Sequence, residues 1–173
     1  LLGKLYSFLN KQSDIDLVII AKKDESCPQY ENAHFISSPK LDKKNLLKRF
    51  LYEVIISIKF FWEILKNIRK GSTVFTGTTP IFLLMIIFIT KRIMGFKWIL
   101  LVHDVFPENL IAAKILKKQS YLYKILKYFF DKIYASADQV IVIGHDMKEL
   151  VYGKTQLNNI HVVQNWIDYA DIE

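Results

Sequence analysis

An α/β fold, with a parallel sheet flanked by helices, is the class this sequence predicts. Strand-length apolar runs at Asp16–Ile20, Ser72–Gly77, Trp98–Asp104, Gln139–Ile143 and Ile160–Val163 alternate with helix-length segments. That is the order of βαβ units joined by right-handed crossovers. The most telling run, W-I-L-L-V-H-D-V-F-P-E-N from Trp98 to Asn109, is wholly apolar until it stops at His103 and Asp104. In an open parallel sheet the ligand crevice lies beyond the carboxyl ends of the strands, so this titratable pair stands where chemistry is done. The bland alternative is that Asp104 only ties down a loop.

Leu1, Leu5, Phe8 and Leu9 recur at helical spacing and open the chain on a helix, which Ser13 and Asp14 end. Residues 22–32 are polar and turn-rich, a surface loop, and Ala33–Ser37 forms a short extended piece before Pro39. Over Leu41–Lys70 the spacing predicts a long amphipathic helix with Leu47, Phe50, Leu51, Val54, Ile58, Phe61, Leu65 and Ile68 on one apolar face and Gly71 at its end. Thr78-Thr79-Pro80 supplies a hydroxyl cap and a first-turn proline for a helix over Ile81–Met94, which Lys91, Arg92 and Gly95 close. Its apolar surface is nearly continuous, which implies burial or partial immersion in lipid. A helix over Pro107–Leu116 follows, with Glu108 in its first turn, and then an aromatic-rich helix over Tyr121–Ala135. Gly144-His145 makes a tight exit from the next strand, Asp146 and Glu149 have capping-box spacing, and Gln164-Asn165-Trp166 end the last one.

The chain has 173 residues, the size of one domain and too few for two nucleotide-binding folds. A 51% hydrophobic content with six glycines and four prolines excludes disorder. The net charge of +7 favours an anionic partner: phospholipid, nucleotide or nucleic acid. The basic helix over Leu41–Lys70, with Phe60 and Trp62 beside its stripe, is either a solvated face or a face resting on anionic lipid. Cys27 stands alone, which implies no disulfide framework, no zinc set and a reducing, cytosolic setting. The longest apolar run, Ile81–Ile89, is far shorter than the ~20 residues that span a bilayer.

Several chemistries lack their motifs. There is no G-x-G-x-x-G after a strand, no P-loop lysine and no G-x-S-x-G elbow, which argues against dehydrogenases, kinases and acyl-enzyme hydrolases. His34, His103, His145 and His161 are too far apart for a metal pattern. No RNP aromatic motif or zinc spacing supports nucleic-acid binding. What remains are polar residues at successive strand ends: Thr76 to Thr79, His103 with Asp104, Gly144 to Asp146, and Asn165. Taken singly, Thr79 and Asp146 are ordinary helix caps and His145 an ordinary turn residue. In a parallel sheet they share one rim.

T-G-T-T-P-I-F at Thr76–Phe82, V-H-D-V-F-P-E-N at Val102–Asn109, A-D-Q-V-I-V-I-G at Ala137–Gly144 and V-V-Q-N-W-I-D at Val162–Asp168 resemble the acceptor-side domain of family 4 glycosyltransferases, in order and in spacing. The likeness is greatest to bacterial enzymes of capsule, colanic-acid or O-antigen synthesis, and it covers the chain from about Ser72 onward. It implies that residues 1–173 form a single Rossmann-like, acceptor-binding half of a GT-B architecture. The first strand and the C-terminal donor-binding domain would be absent, as in a trimmed chain or a fragment.

By this resemblance the full enzyme transfers a sugar from a nucleotide-diphosphate donor, held by the second domain, to a lipid-linked or glycan acceptor, with retention and without a metal or other cofactor. Asp104 and His103 would be the catalytic pair facing the acceptor. Thr78, Thr79, Glu108 and His145 would bind the acceptor, and Asn165 and Trp166 would lie at the hinge of the cleft. The expected location is cytoplasmic or peripheral on the cytoplasmic face of the inner membrane, with an anionic membrane surface and no nucleic acid as partner. The alternative is a non-catalytic, membrane-surface, acceptor-binding subunit of a split glycosyltransferase.

Overall fold

The computed structural model describes residues 8–9, 11, 16–22, 33–37 and 46–164, which fall into two units, Leu1–Ile68 and Arg69–Glu173. In the first, β1 (Ile19–Lys22) and β2 (Ala33–Ile36) pair in parallel, Ile19 beside Ala33 and Lys22 beside Ile36. β1 lies later than the predicted Asp16–Ile20, because Asp16 to Val18 precede the stretch that β2 pairs with. Of the predicted opening helix Phe8 and Leu9 are described and helical, and Lys11 lies in a turn; the loop predicted over 22–32 starts one residue too early, since Lys22 ends β1, and its remainder over 23–32 lies outside the described residues.

α1 (Leu46–Asn67) packs on both strands. It buries Ile56, Ser57 and Ile64, whereas Leu47, Phe50, Leu51 and Ile58 of the predicted apolar face are 47% to 67% exposed. This corrects the sequence reading. Ile55, Ile56, Phe60, Phe61, Trp62 and Ile64 make the helix apolar on several sides, so periodicity alone does not select the face that turns inward.

The second unit follows the predicted alternation: β3 (Thr73–Gly77), α2 (Ile81–Met94), β4 (Lys97–Val102), α3 (Glu108–Ala112), α4 (Tyr121–Ala135), β5 (Gln139–Val142), α5 (His145–Thr155) and β6 (Ile160–Val162). The four strands are parallel and lie in the order β3-β4-β5-β6. With strand order equal to chain order, right-handed crossovers place every connecting helix on one face of the sheet. Burial agrees: side by side on that face, Trp98, Leu100, Val102, Val140 and Val142 are fully buried, together with Leu84, Ile87, Tyr134 and Val151 of the helices. On the other face Phe75 is 38% exposed and Ile99 and Ile141 are half-buried.

Local boundaries differ from the sequence reading: α2 and α3 begin one residue later than their prolines suggest, and α3 stops early. Pro80 and Pro107 occupy the N-cap positions of α2 and α3 rather than their first turns, and neither helix has a side-chain cap. Thr79 therefore lies outside α2. α3 stops at Ala112, well short of Leu116, where Lys114 adopts a left-handed φ of 57° and Ile115 N–H bonds back to the Leu110 carbonyl. α2 ends as predicted, on Gly95 at φ 70°. At the amino end of the sheet Asp138 joins three elements. Its carboxylate accepts from Trp98 N–H at 2.6 Å and Lys91 Nζ at 2.6 Å, tying β5 to β4 and to the last turn of α2.

Candidate functional site

The strand register puts the carboxyl ends level. Gly77 lies beside Leu101, Val102 beside Val142, and Val142 beside Val162, so the exits of β3, β4, β5 and β6 form one edge. Thr78 leaves β3 fully buried, and its Oγ1 accepts from both His103 N–H and Asp104 N–H at 3.4 Å. That hydroxyl joins the β3 exit to the β4 exit. His103 and Asp104 are exposed, and among the described residues neither side chain has a hydrogen bond or ion pair. Exposed side chains on a backbone held from behind are free to meet what enters the rim.

The loop from His103 to Pro107 is braced by α4. Tyr134, fully buried, donates its hydroxyl to the Asp104 carbonyl and accepts from Phe106 N–H, each at 3.3 Å. Burial pushes that phenol far above its usual range, so it keeps its proton and continues to donate. Phe106 also stacks edge-on against Phe130 at 4.4 Å.

Below the loop lies a cluster of charges that the sequence reading missed. Lys154 of α5 has a side chain only 2% exposed, and its Nζ lies 2.8 and 2.7 Å from the two Glu108 oxygens and 2.7 Å from Asp131 Oδ1. Lys127 reaches Asp131 Oδ2 at 2.7 Å and Glu108 at 3.6 Å, and Tyr123 donates to Glu108 at 3.4 Å. Two ammonium groups thus neutralise two carboxylates. Burial works against the Lys127 charge, but Asp131 and Glu108 outweigh it and raise its pKa; burial and the Glu108 charge raise that of Tyr123. The Lys154 ammonium also lies 5.6 Å from the Tyr134 ring centre. The signal was in the sequence as Tyr123, Lys127, Asp131 and Tyr134, a polar stripe at helical spacing on the inward side of α4.

The predicted site residues therefore divide. Thr78, His103 and Asp104 come together, and His145 opens α5 at the neighbouring β5 exit, exposed. Thr79 is exposed beside them. Glu108 turns inward to Lys154. The Asp146–Glu149 capping box does not form, because α5 already begins at His145 with Gly144 as its N-cap and no side-chain cap bond. Asn165 and Trp166 lie outside the described residues.

Among the described residues no group of three or more His, Cys, Asp or Glu is placed to hold a metal ion, and no helix is long and apolar enough to cross a membrane. A shallow groove in the first unit, lined by Phe35, Ile36, Ser37, Lys59, Trp62 and Glu63, has its charges engaged. Lys59 bonds to Ser37, and Glu63 to Lys66 and His34.

No family model matches the chain. It has a relative among curated sequences. The chain is 41% identical over 129 residues to a probable glycosyltransferase, WbjE, of Pseudomonas aeruginosa. The aligned stretch is 74% of this chain and 32% of WbjE, so the chain spans about a third of that relative's length.

Proposed function

We propose that this chain is the acceptor-side half of a glycosyltransferase of family 4 and GT-B architecture, acting with retention in bacterial surface polysaccharide synthesis. The observation that carries the reading is the similarity to WbjE over most of the chain. The exposed His103–Asp104 pair at the rim of a parallel sheet supports it. The donor is a nucleotide-diphosphate sugar held mainly by a second domain, and the acceptor a lipid-linked sugar or glycan. No metal is assigned. Asp104 orients the acceptor hydroxyl, or stabilises positive charge developing beside it, while the donor phosphate takes the proton; His103 lies next to it. Thr79 and His145, on the same edge, contact the acceptor, and Thr78 holds the backbone between them. Glu108, turned into the charge cluster, supports the loop rather than the acceptor. Asn165 and Trp166 belong to the hinge of the cleft.

The partner surface is an anionic membrane on the cytoplasmic side. Ile89 and Ile93 of α2 and Leu122, Ile125 and Phe129 of α4 are 40% to 79% exposed, with Lys124 and Lys132 beside them, which suits such a surface.

Mass spectrometry of products from the intact enzyme, supplied with candidate nucleotide sugars and lipid-linked acceptors, tests the reaction. Asp104→Ala tests the site. Its rate is expected to fall by about 100-fold or more while stability changes by about 0.5 kcal/mol or less, as for an exposed side chain. Equal losses in both would make Asp104 structural.

A further inference from the structure

We propose that Tyr134 is a positioning residue for Asp104, and that the Glu108–Lys154–Asp131 cluster fixes the frame in which it works. The proposal rests on the reading of the rim given above.

The loop from His103 to Pro107, whose first two amides bond to Thr78, is held by α4 and α5 at two further places. At its middle, the Tyr134 hydroxyl bridges the Asp104 carbonyl and the Phe106 amide. At its end, Glu108 is gripped through both oxygens by Lys154. Both grips refer to the same helices, since Tyr134 and Asp131 lie on α4 and Lys154 reaches across from α5. The Asp104 carboxylate is thereby set by groups that do not touch it. A hydroxyl that donates to one carbonyl and accepts from one amide two residues along fixes the peptide planes on either side of Val105, and hence the direction in which Asp104 projects. Phe in place of Tyr134 keeps the ring against the core and removes only the bridge.

Misplacement of a reacting group by about 1 Å costs about 100-fold in rate. A loop that loses one of these grips is expected to lose about tenfold in kcat.

The test is a double-mutant cycle in the intact enzyme with Tyr134→Phe, Asp104→Ala and the pair, measuring kcat and acceptor KM, with hydrogen exchange of the 103–107 segment alongside. Tyr134→Phe is expected to lower kcat about tenfold, to leave acceptor KM within about twofold and to speed exchange in that segment; in the Asp104→Ala background it is expected to cause no further fall. A wild-type rate for Tyr134→Phe, with Asp104→Ala impaired, overturns the positioning role and leaves the reading of the rim intact. Additive losses overturn it as well, because a residue that acts through Asp104 has nothing to act through once Asp104 is gone. A wild-type rate for Asp104→Ala sinks the reading of the rim itself. If Tyr134→Phe does not fold, Glu108→Gln, which loosens the other grip, is taken through the same cycle with the same criteria.

Discussion

Lys154→Met removes the ammonium at the centre of the charge cluster and keeps an apolar stem of similar length. Its side chain is 2% exposed, and its removal leaves the Glu108 and Asp131 carboxylates, 22% and 24% exposed, facing one another with only Lys127 between them. Removing one partner of a buried pair costs about 3–5 kcal/mol. Partial exposure of the carboxylates and the remaining Lys127 put this case at the lower end, about 3 kcal/mol. With a urea slope of about 1–3 kcal/mol/M, the midpoint is expected to fall by about 1–3 M. Fluorescence of the fully buried Trp98, in a Trp62→Phe/Trp166→Phe background, reports the transition. A loss below about 1 kcal/mol at neutral pH refutes the view that the cluster is held by charge.

Asp138→Asn tests the brace at the other end of the sheet. Burial raises the Asp138 pKa, but the Lys91 hydrogen bond and the Trp98 amide outweigh it, so the folded-state value lies below the ordinary one. Its contribution is therefore present above an unfolded pKa of about 3.9 and lost as pH falls through the folded value, and acid titration of stability in wild type and variant is expected to converge there. Thr76→Val removes the acceptor of the buried Trp98 Nε1–H, a 2.8 Å bond. A loss of about 1–3 kcal/mol in urea unfolding is expected, with Thr76→Ser restoring most of it.

The sheet was legible because its strands are unbroken apolar runs bounded by polar residues, and no competing helical period fits Trp98 to Val102 or Gln139 to Val142. α2 was legible through a start and stop that agree, and α4 as an aromatic-rich segment of helix length. The inward face of α1 was not, since its apolar residues surround the axis. The caps were misread because capping depends on the residue at which the backbone turns: α2 starts one residue later than a Thr79 cap requires and α5 two residues earlier than an Asp146 cap requires, which moves both out of the capping positions. That Thr78, His103 and Asp104 come together was legible from their place at strand ends. Lys154 was not, because its meaning arises only where α5 meets α4, and α5 in isolation reads as a polar surface helix.

The hydrogen bonds of the rim loop also bear on why Asp104 is there at all. A residue kept to tie down its own loop does so with its side chain, as Asp138 does at the opposite end of the sheet. Around Asp104 the backbone is satisfied by others: its N–H and that of His103 by Thr78, its carbonyl and the Phe106 N–H by Tyr134. Two hydroxyls on separate elements thus do the structural work that the bland reading gives to the carboxylate. An exposed carboxylate relieved of that work costs little stability to remove. Asp104→Ala therefore separates rate from stability more cleanly than any variant of Thr78 or Tyr134, whose hydroxyls serve the loop first.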